Sequence, residues 1–218
     1  MSRDSSHEAL VDRLSRGGVI RSERVRDAML AVDRKHYLPP GEGAQAYEDA
    51  AVILKMGSDG LPASTVSQPT MVALMLEELA PTAGDNVLEV GTASGYNAAL
   101  LAHLVGPTGA VFTVEVDRRL AAEARARLSK NSQVSVLAGD GRDGFPEAAP
   151  YSGIIVTAGA SSISSAWAEQ LELGGRLVVP LTGEDRSGRC VTYEKTGTEL
   201  VERHSMPCGF VPLCGPNA

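Results

Sequence analysis

Residues 86–104 have the sequence NVLEVGTASGYNAALLAHL, which is the strongest indication of the fold in this chain. An apolar strand ends at an acidic residue, passes through a turn with two glycines, and enters an amphipathic helix. Glycine lets the backbone approach a ligand closely, and a helix N-terminus offers unpaired N–H groups and the positive end of its dipole. The stretch therefore predicts a nucleotide-binding turn between a strand and a helix.

Composition limits the classes of protein to which the chain can belong. Its 218 residues suit a single α/β domain, and its net charge of −7 argues against partners bound through neutralised phosphates, such as nucleic acid. No apolar run reaches about 18 residues and no leader segment is evident, so neither a membrane span nor a secretory signal is expected. The spacing of Cys190, Cys208 and Cys214 favours reduced thiols in a cytoplasmic protein without a metal site.

The N-terminal third is predicted to be helical and then irregular. Helical periodicity covers residues 7–32, with a break at Gly17 and Gly18 and with Ser22 as the N-cap of the second helix. Residues 41–69 show few periodic signals and are rich in Gly, Ser, Asp and Pro, which predicts a long loop that is either functional or disordered. A helix is expected from Thr70 to Pro81.

Short apolar runs then alternate with helical segments. Strands are predicted at residues 87–90, 111–116, 134–137, 153–157 and 176–180, and helices at 95–105, 118–129 and 164–171. This alternation predicts βαβ units and an α/β fold with a mostly parallel sheet and helices on both faces. Two further runs, around residues 190–195 and 199–205, predict a C-terminal strand hairpin.

The glycine spacing discriminates between cofactors. A dinucleotide turn of the GxGxxG type that starts at Gly91 would need glycines at positions 93 and 96, where the chain has Ala93 and Tyr96. The spacing from Glu89 through Gly91 to Gly95 instead matches the S-adenosylmethionine loop of methyltransferases, with Ala93 in place of a glycine. A turn that serves packing alone is the structural alternative.

Further carboxylates follow the next two predicted strands. Glu115 ends the second strand, where a carboxylate can accept hydrogen bonds from both ribose hydroxyls, and Asp117 is the nearby alternative. Asp140 stands between Gly139 and Gly141 after the third strand, where it can accept from the adenine amino group, although such a pair can also be only a turn. Open α/β sheets bind ligands at this edge, so the succession predicts a nucleotide site.

The chain resembles the protein-L-isoaspartate O-methyltransferases over nearly its whole length. The resemblance rests on AVDRKHYLP at 31–39, AYED at 46–49, STVSQP at 64–69, the glycine turn, GDG at 139–141, segments 149–158 and 170–175, and FVPL at 210–213. STVSQP and FVPL are the specific segments, since generic methyltransferases lack them.

The resemblance implies a Rossmann-like class I methyltransferase fold with S-adenosyl-L-methionine as cofactor. It implies methylation of the carboxylate of an L-isoaspartyl or D-aspartyl residue in a damaged protein, giving an ester that closes to a succinimide for repair. Ser67 is the implied catalytic residue, and it contacts the substrate together with Val211, Pro212 and Leu213. The implied cofactor contacts are Ser64, Thr65, Val66, Ser67, Glu89, Gly91, Thr92, Ser94, Gly95, Tyr96, Glu115, Val116, Asp140, Gly141 and Thr157.

The same resemblance suggests an organisation within one domain, 1–218. Residues 1–80 form a helical and substrate-loop region, 81–182 the cofactor-binding core, and 183–218 the C-terminal strands that contribute to the substrate site. The expected partner is a protein or peptide with an isoaspartyl or aspartyl carboxylate, and the enzyme is expected to be a cytoplasmic monomer. From local sequence alone, Ser67 has a second interpretation as the N-cap of the helix that follows it.

Two departures from the family pattern keep alternatives open. Residues 55–63 are longer and more polar than the usual family segment, and Ser152 stands where an aspartate is common. The longer segment, together with YNAALL at 96–101, is similar to a family branch that esterifies a normal aspartate in ribosomally made precursor peptides and so forms an aspartimide. A nicotinamide-dependent oxidoreductase and a non-catalytic Rossmann-like binding domain are further alternatives. Tyr96 disfavours the first, and the intact Ser67 and Asp140 disfavour the second.

Overall fold

The computed structural model describes residues 5–215 of the chain. The helices are α1 (Ser5–Arg16), α2 (Glu23–Ala31), α3 (Pro69–Leu79), α4 (Tyr96–Val105), α5 (Arg118–Arg127) and α6 (Ser165–Gln170). The strands are β1 (Val52–Met56), β2 (Pro62–Val66), β3 (Asn86–Val90), β4 (Ala110–Glu115), β5 (Val134–Ala138), β6 (Tyr151–Val156), β7 (Leu171–Thr182), β8 (Ser187–Thr196) and β9 (Glu199–Gly209). Short 3-10 helices cover Arg34–Tyr37, Glu42–Tyr47, Gly141–Asp143 and Pro146–Ala148.

Seven of these strands form one mixed sheet in the order β5-β4-β3-β6-β7-β8-β9. Strands β3 to β7 are parallel, and β8 and β9 add antiparallel at the β7 edge, so the predicted parallel sheet and C-terminal hairpin are confirmed. The chain order reverses at β3, which pairs with β4 on one side and β6 on the other. Such a reversal leaves a crevice outside the carboxyl ends of the strands, and there open α/β sheets bind their ligands.

The sheet is covered on both faces, because successive side chains of a strand point to opposite sides. Val87 and Ile155 pack with helices α1 to α4 in one apolar core. Leu88 and Ile154 pack around Trp167 of α6 in the other. Full burial on both faces explains why the central strands are continuous apolar runs in the sequence.

The N-terminal region forms two helices with a break at Gly17 and Gly18, as predicted. Ser22 caps α2, and its hydroxyl accepts a hydrogen bond from the N–H of Val25. Among the residues that the structure describes, no helix is long and apolar enough to cross a membrane.

The expectation of a long loop over residues 41–69 is wrong. The segment contains the 3-10 helix Glu42–Tyr47 and a two-stranded hairpin, in which Val52 of β1 pairs with Val66 of β2. The hairpin turn is closed by the N–H of Gly57, which donates to the carbonyl of Leu61 at 2.7 Å. Most side chains of both strands are partly exposed, so the sequence lacks the alternation that marks a strand. The turn residues GSDG at 57–60 were the available signal.

The interpretation of Ser67 as a helix cap is also wrong. Helix α3 begins at Pro69, and Gln68 occupies the cap position without a side-chain cap bond. The carboxylate of Asp49 instead accepts from the backbone N–H of Thr70 at 2.8 Å and from its hydroxyl at 2.6 Å. A residue remote in sequence therefore satisfies the first turn of α3, and the Ser67 side chain does not.

Candidate active site

A cavity of about 920 Å³ lies at the carboxyl edge of the sheet. Its walls come from the β1–β2 hairpin with the loop after it, from the segments that follow β3 to β6, and from the tail at 211–215. This volume is near the upper end of the range of about 300–1,000 Å³ for small-molecule sites. The cavity can therefore hold a nucleotide-sized ligand together with part of a second molecule.

Most of the predicted site residues come together in this cavity, although they are spread over 150 positions of the chain. Those that line it are Ser64, Thr65, Val66, Ser67, Gly91, Thr92, Ser94, Tyr96, Glu115, Val116, Gly141, Thr157, Val211, Pro212 and Leu213. Glu89, Gly95 and Asp140 lie outside the lining.

The turn after β3 has the backbone that the glycine pattern predicts. Gly91 has φ +98°, and a Cβ there would lie 2.5 Å from Thr157 Oγ1, so only glycine fits. The same Thr157 hydroxyl donates to the Gly91 carbonyl at 2.6 Å and ties the end of β6 to the turn. Ala93 has φ +48°, a left-handed conformation that costs a residue with a side chain about 1–3 kcal/mol. The glycine that methyltransferases usually have at this position can adopt this conformation without that cost.

Glu115 holds this turn in place and faces the cavity. One carboxylate oxygen accepts from the N–H of Ala93 at 2.8 Å, and the other accepts from the N–H of Asp117 at 3.0 Å. Burial raises the pKa of Glu115. Each oxygen keeps a lone pair with which it can accept from a ligand hydroxyl.

Asp117, the alternative to Glu115, has other partners. Its carboxylate is paired with Lys55 at 2.7 Å and accepts from two N–H groups in the first turn of α5. The hydrogen bond from Lys55 holds the pKa of Asp117 below its usual value. The structure therefore favours Glu115 as the carboxylate available to a ribose.

Asp140 follows β5, and its carboxylate is held by Arg142. The guanidinium Nη2 lies 2.5 Å from Oδ2, and this hydrogen bond lowers the pKa of Asp140. Asp140 also caps the 3-10 helix Gly141–Asp143. Its neighbour Gly141 lines the cavity while its own carboxylate does not, so the contact of Asp140 with adenine stays a prediction.

Glu89 lies beneath the glycine turn and is fully buried. Its carboxylate accepts from the Asn97 amide at 2.8 Å and from the Thr113 hydroxyl. The Thr113 hydroxyl is in turn 2.6 Å from the Thr92 hydroxyl, and Thr92 lines the cavity. Glu89 therefore supports the turn from the protein interior, through its hydrogen bonds to Asn97 and Thr113. Burial raises its pKa to about 7.

The raised pKa of Glu89 makes the free energy of unfolding depend on pH. The carboxyl titrates near 4.5 when unfolded and at about 7 when folded, so the folded chain binds the extra proton between these values. The contribution of the protonated Glu89 carboxyl to the free energy of unfolding is therefore fully present at low pH, and it is lost as pH rises through about 7. We expect wild type to lose up to roughly 3 kcal/mol over this window relative to Glu89→Gln. Denaturant unfolding on both sides of the window measures this, and identical pH dependence of the two proteins would contradict it.

Ser67 follows β2 and lines the cavity. Within residues 5–215, no side chain or backbone group is hydrogen-bonded to its hydroxyl, so this group is available to a ligand. The tail that carries Val211 and Leu213 is held near the end of β6 by Gly159. The Gly159 N–H donates to the Val211 carbonyl, and the Leu213 N–H donates to the Gly159 carbonyl, each at 2.8 Å.

Sequence reasoning missed the basic residues of the site. Lys55, Arg118 and Arg186 line the cavity, and Arg186 donates to the Pro62 carbonyl at 2.7 Å, which joins the hairpin to the β7–β8 turn. A single basic residue carries no local signal of what it will contact, whether it lies in a strand, at a helix start or in a turn. Only folding brings these three residues together in the lining of one cavity.

Comparison with known proteins agrees with this geometry. The family model described as protein-L-isoaspartate(D-aspartate) O-methyltransferase matches residues 5–218. A protein-L-isoaspartate O-methyltransferase of Methanopyrus kandleri is 44% identical over 214 residues, which cover 96% of this chain and 92% of that protein. One of Ignicoccus hospitalis is 42% identical over 208 residues, which cover 94% of this chain and 95% of that protein.

Solved structures agree as well. A protein-L-isoaspartate O-methyltransferase structure superimposes with a TM-score of 0.87 at 31% identity and covers 96% of this chain and 66% of that one. A structure from Plasmodium falciparum, described as a putative protein-L-isoaspartate O-methyltransferase in complex with S-adenosyl-L-homocysteine, superimposes with a TM-score of 0.82 at 22% identity and covers 97% of this chain and 99% of that one. The fold is that of the class I S-adenosylmethionine-dependent methyltransferases. Within this class, the chain belongs to the protein-L-isoaspartate(D-aspartate) O-methyltransferase family.

Proposed function

We propose that this chain methylates the free carboxylate of an L-isoaspartyl or D-aspartyl residue in damaged proteins, with S-adenosyl-L-methionine as methyl donor. The observation that carries the proposal is that one cavity is lined by the glycine turn, by Ser67, whose hydroxyl has no partner in the part of the chain that the structure describes, and by the tail from Val211 to Leu213. Family membership supports the same reaction, since the two relatives cited above carry that name. The ester formed can close to a succinimide when the next backbone nitrogen attacks its carbonyl carbon: the carbon–methoxy bond breaks, and methanol leaves with the proton of the amide N–H.

The donor fits the residues of the glycine turn. The close approach allowed at Gly91 and the N-terminus of α4 suit the carboxylate of an amino acid, and the Glu115 carboxylate suits a ribose diol. When bound, S-adenosyl-L-methionine supplies an electrophilic methyl group on a positively charged sulfur.

The protein's part in the reaction is orientation. A carboxylate with an ordinary pKa near 4 is already an anion at neutral pH and needs no general base. The Ser67 hydroxyl donates a hydrogen bond to one carboxylate oxygen and leaves the other directed at the methyl group. The oxygen–carbon bond forms as the carbon–sulfur bond breaks, and the sulfonium becomes a neutral thioether. Alignment of this kind can supply about 7–11 kcal/mol of the barrier reduction.

The remaining expectations stay predictions. The three cysteines are free thiols in the structure, which supports a reducing compartment such as the cytoplasm. The monomeric state is a prediction that sedimentation or gel filtration tests.

A paired peptide assay tests the proposed function. We expect label from S-adenosyl-L-methionine to enter an isoaspartyl peptide at least about tenfold faster, in kcat/KM, than the aspartyl peptide of the same sequence. Faster transfer to the aspartyl peptide would instead support tailoring of a precursor peptide. Binding of the donor, measured by calorimetry, without transfer to either peptide would support a non-catalytic binding domain.

A further inference from the structure

Arg34 is a charged side chain in the apolar interior, at 1% exposure. It begins the short 3-10 helix Arg34–Tyr37 after α2 and does not line the cavity. A buried charge is costly unless it is paired or fully hydrogen-bonded. Among the residues described, no carboxylate forms an ion pair with it. The groups that stabilise the buried guanidinium are therefore those to which its N–H groups donate hydrogen bonds.

Within the described part of the chain, the guanidinium of Arg34 is hydrogen-bonded only to backbone carbonyls, and these come from separate segments. Nη1 donates to the carbonyls of Gln45 and Ala46, at 3.2 and 3.1 Å. Nη2 donates to the Ala50 carbonyl at 2.8 Å. The guanidinium thus binds both ends of segment 45–50, which leads into β1.

The same Nη2 reaches the residues that precede α3. It lies 3.3 Å from the carbonyl of Val66 and 3.1 Å from the carbonyl of Ser67. On the other side of Ser67, the Asp49 carboxylate binds the Gln68 amide and Thr70. The Ser67 carbonyl and the residues that follow Ser67 are therefore held by hydrogen bonds, while the Ser67 hydroxyl has no hydrogen-bond partner among residues 5–215.

We propose that Arg34 is a positioning residue for methyl transfer: it fixes the Ser67 backbone and so aims the Ser67 hydroxyl at the substrate carboxylate. This inference rests on the proposed function, in which Ser67 orients the carboxylate. A planar fork with donors on two nitrogens can span carbonyls from three segments, whereas an ammonium is a single point. Lysine at this position would keep the positive charge and lose some of the hydrogen bonds to these carbonyls.

The test is a double-mutant cycle of Arg34→Lys and Ser67→Ala, assayed with an isoaspartyl peptide. We expect Arg34→Lys to lower kcat at least about tenfold in the wild-type background, because a displacement of about 1 Å can cost about 100-fold. In the Ser67→Ala background the same change should lower kcat by less than about threefold, since the hydroxyl to be aimed is absent. The Kd for S-adenosyl-L-methionine should stay within about threefold. Full, additive loss in both backgrounds would overturn the positioning role.

Arg24→Lys is the matched control. The Arg24 guanidinium also donates to backbone carbonyls, those of Pro81 and Leu104, but it lies outside the cavity lining. We expect this variant to lose thermal stability while kcat stays within about twofold of wild type. A loss of kcat equal to that of Arg34→Lys would show a general effect of loosened packing and would overturn the proposal.

A second variant covers the case in which Arg34→Lys does not fold. Replacing the amide between Ser67 and Gln68 by an ester weakens the Ser67 carbonyl as an acceptor and leaves Arg34 intact. We expect a lower kcat with an unchanged donor Kd, and an unchanged kcat would overturn the proposal. Failure of the proposed function gives a different result, because wild type would then not methylate the isoaspartyl peptide, or Ser67→Ala alone would match wild type.

Discussion

Replacing Glu115 with alanine is expected to weaken binding of S-adenosyl-L-methionine by about 100-fold. Hydrogen bonds to a charged group contribute about 1.5–3 kcal/mol each, and every 1.4 kcal/mol is a factor of ten in Kd. A diol that loses two such bonds therefore loses at least two orders of magnitude. The variant also removes the acceptor for the Ala93 N–H, which helps to hold a left-handed residue in the turn. Isothermal titration calorimetry measures the affinity directly.

Asp117→Asn is the control for this prediction, because Asp117 lines the cavity at the same edge. Its carboxylate is engaged by Lys55 and by the first turn of α5, so we expect the donor Kd to change by less than about fivefold. The reverse order of effects, with the larger loss in Asp117→Asn, would assign the ribose to Asp117.

Replacing Ser67 with alanine is expected to lower kcat for methylation of an isoaspartyl peptide by about 100-fold, while the donor Kd stays within about threefold. The hydroxyl is unbonded among the described residues and lines the cavity, so its loss removes a substrate contact without breaking a contact of the fold. The carboxylate needs no proton removed, so orientation is what the variant takes away. Steady-state kinetics and calorimetry on the same preparation separate the two quantities.

Ser58→Ala is the matched control for Ser67. It removes a hydroxyl from the hairpin turn, and Ser58 lines the same cavity. We expect its kcat to stay within about twofold of wild type, because a surface substitution without a specific contact has little effect. Full activity of Ser67→Ala, or a large loss of donor affinity in that variant, would show that Ser67 has a different role.

Much of the cofactor side of the site could be predicted because its determinants are local. Glycine at 91, an acidic strand end at 115 and a helix start at 96 are adjacent to strands that the apolar pattern reveals. The exceptions are informative. Glu89 precedes the turn in sequence, yet the pleat of β3 directs its side chain below the turn.

The substrate side depended on contacts between distant residues. Local sequence made Ser67 a good helix cap, and Asp49 took that role from 21 positions away from Thr70. The β1–β2 hairpin before Ser67 could not be predicted, because its strands are partly exposed and so lack the apolar alternation that marks a strand. The resemblance to a family identified Ser67 where periodicity could not.

The strand–turn–helix of residues 86–104 and the alternation that makes a parallel sheet follow from local sequence. Backbone conformation at glycine and the period of apolar side chains are properties of neighbouring residues. Three features depend instead on how distant parts of the chain pack: Arg34 donates to the Ser67 carbonyl, Lys55 pairs with Asp117, and Asp140 lies outside the cavity lining. Such contacts join residues far apart in the chain, and their geometry exists only once the sheet and its covering helices have packed.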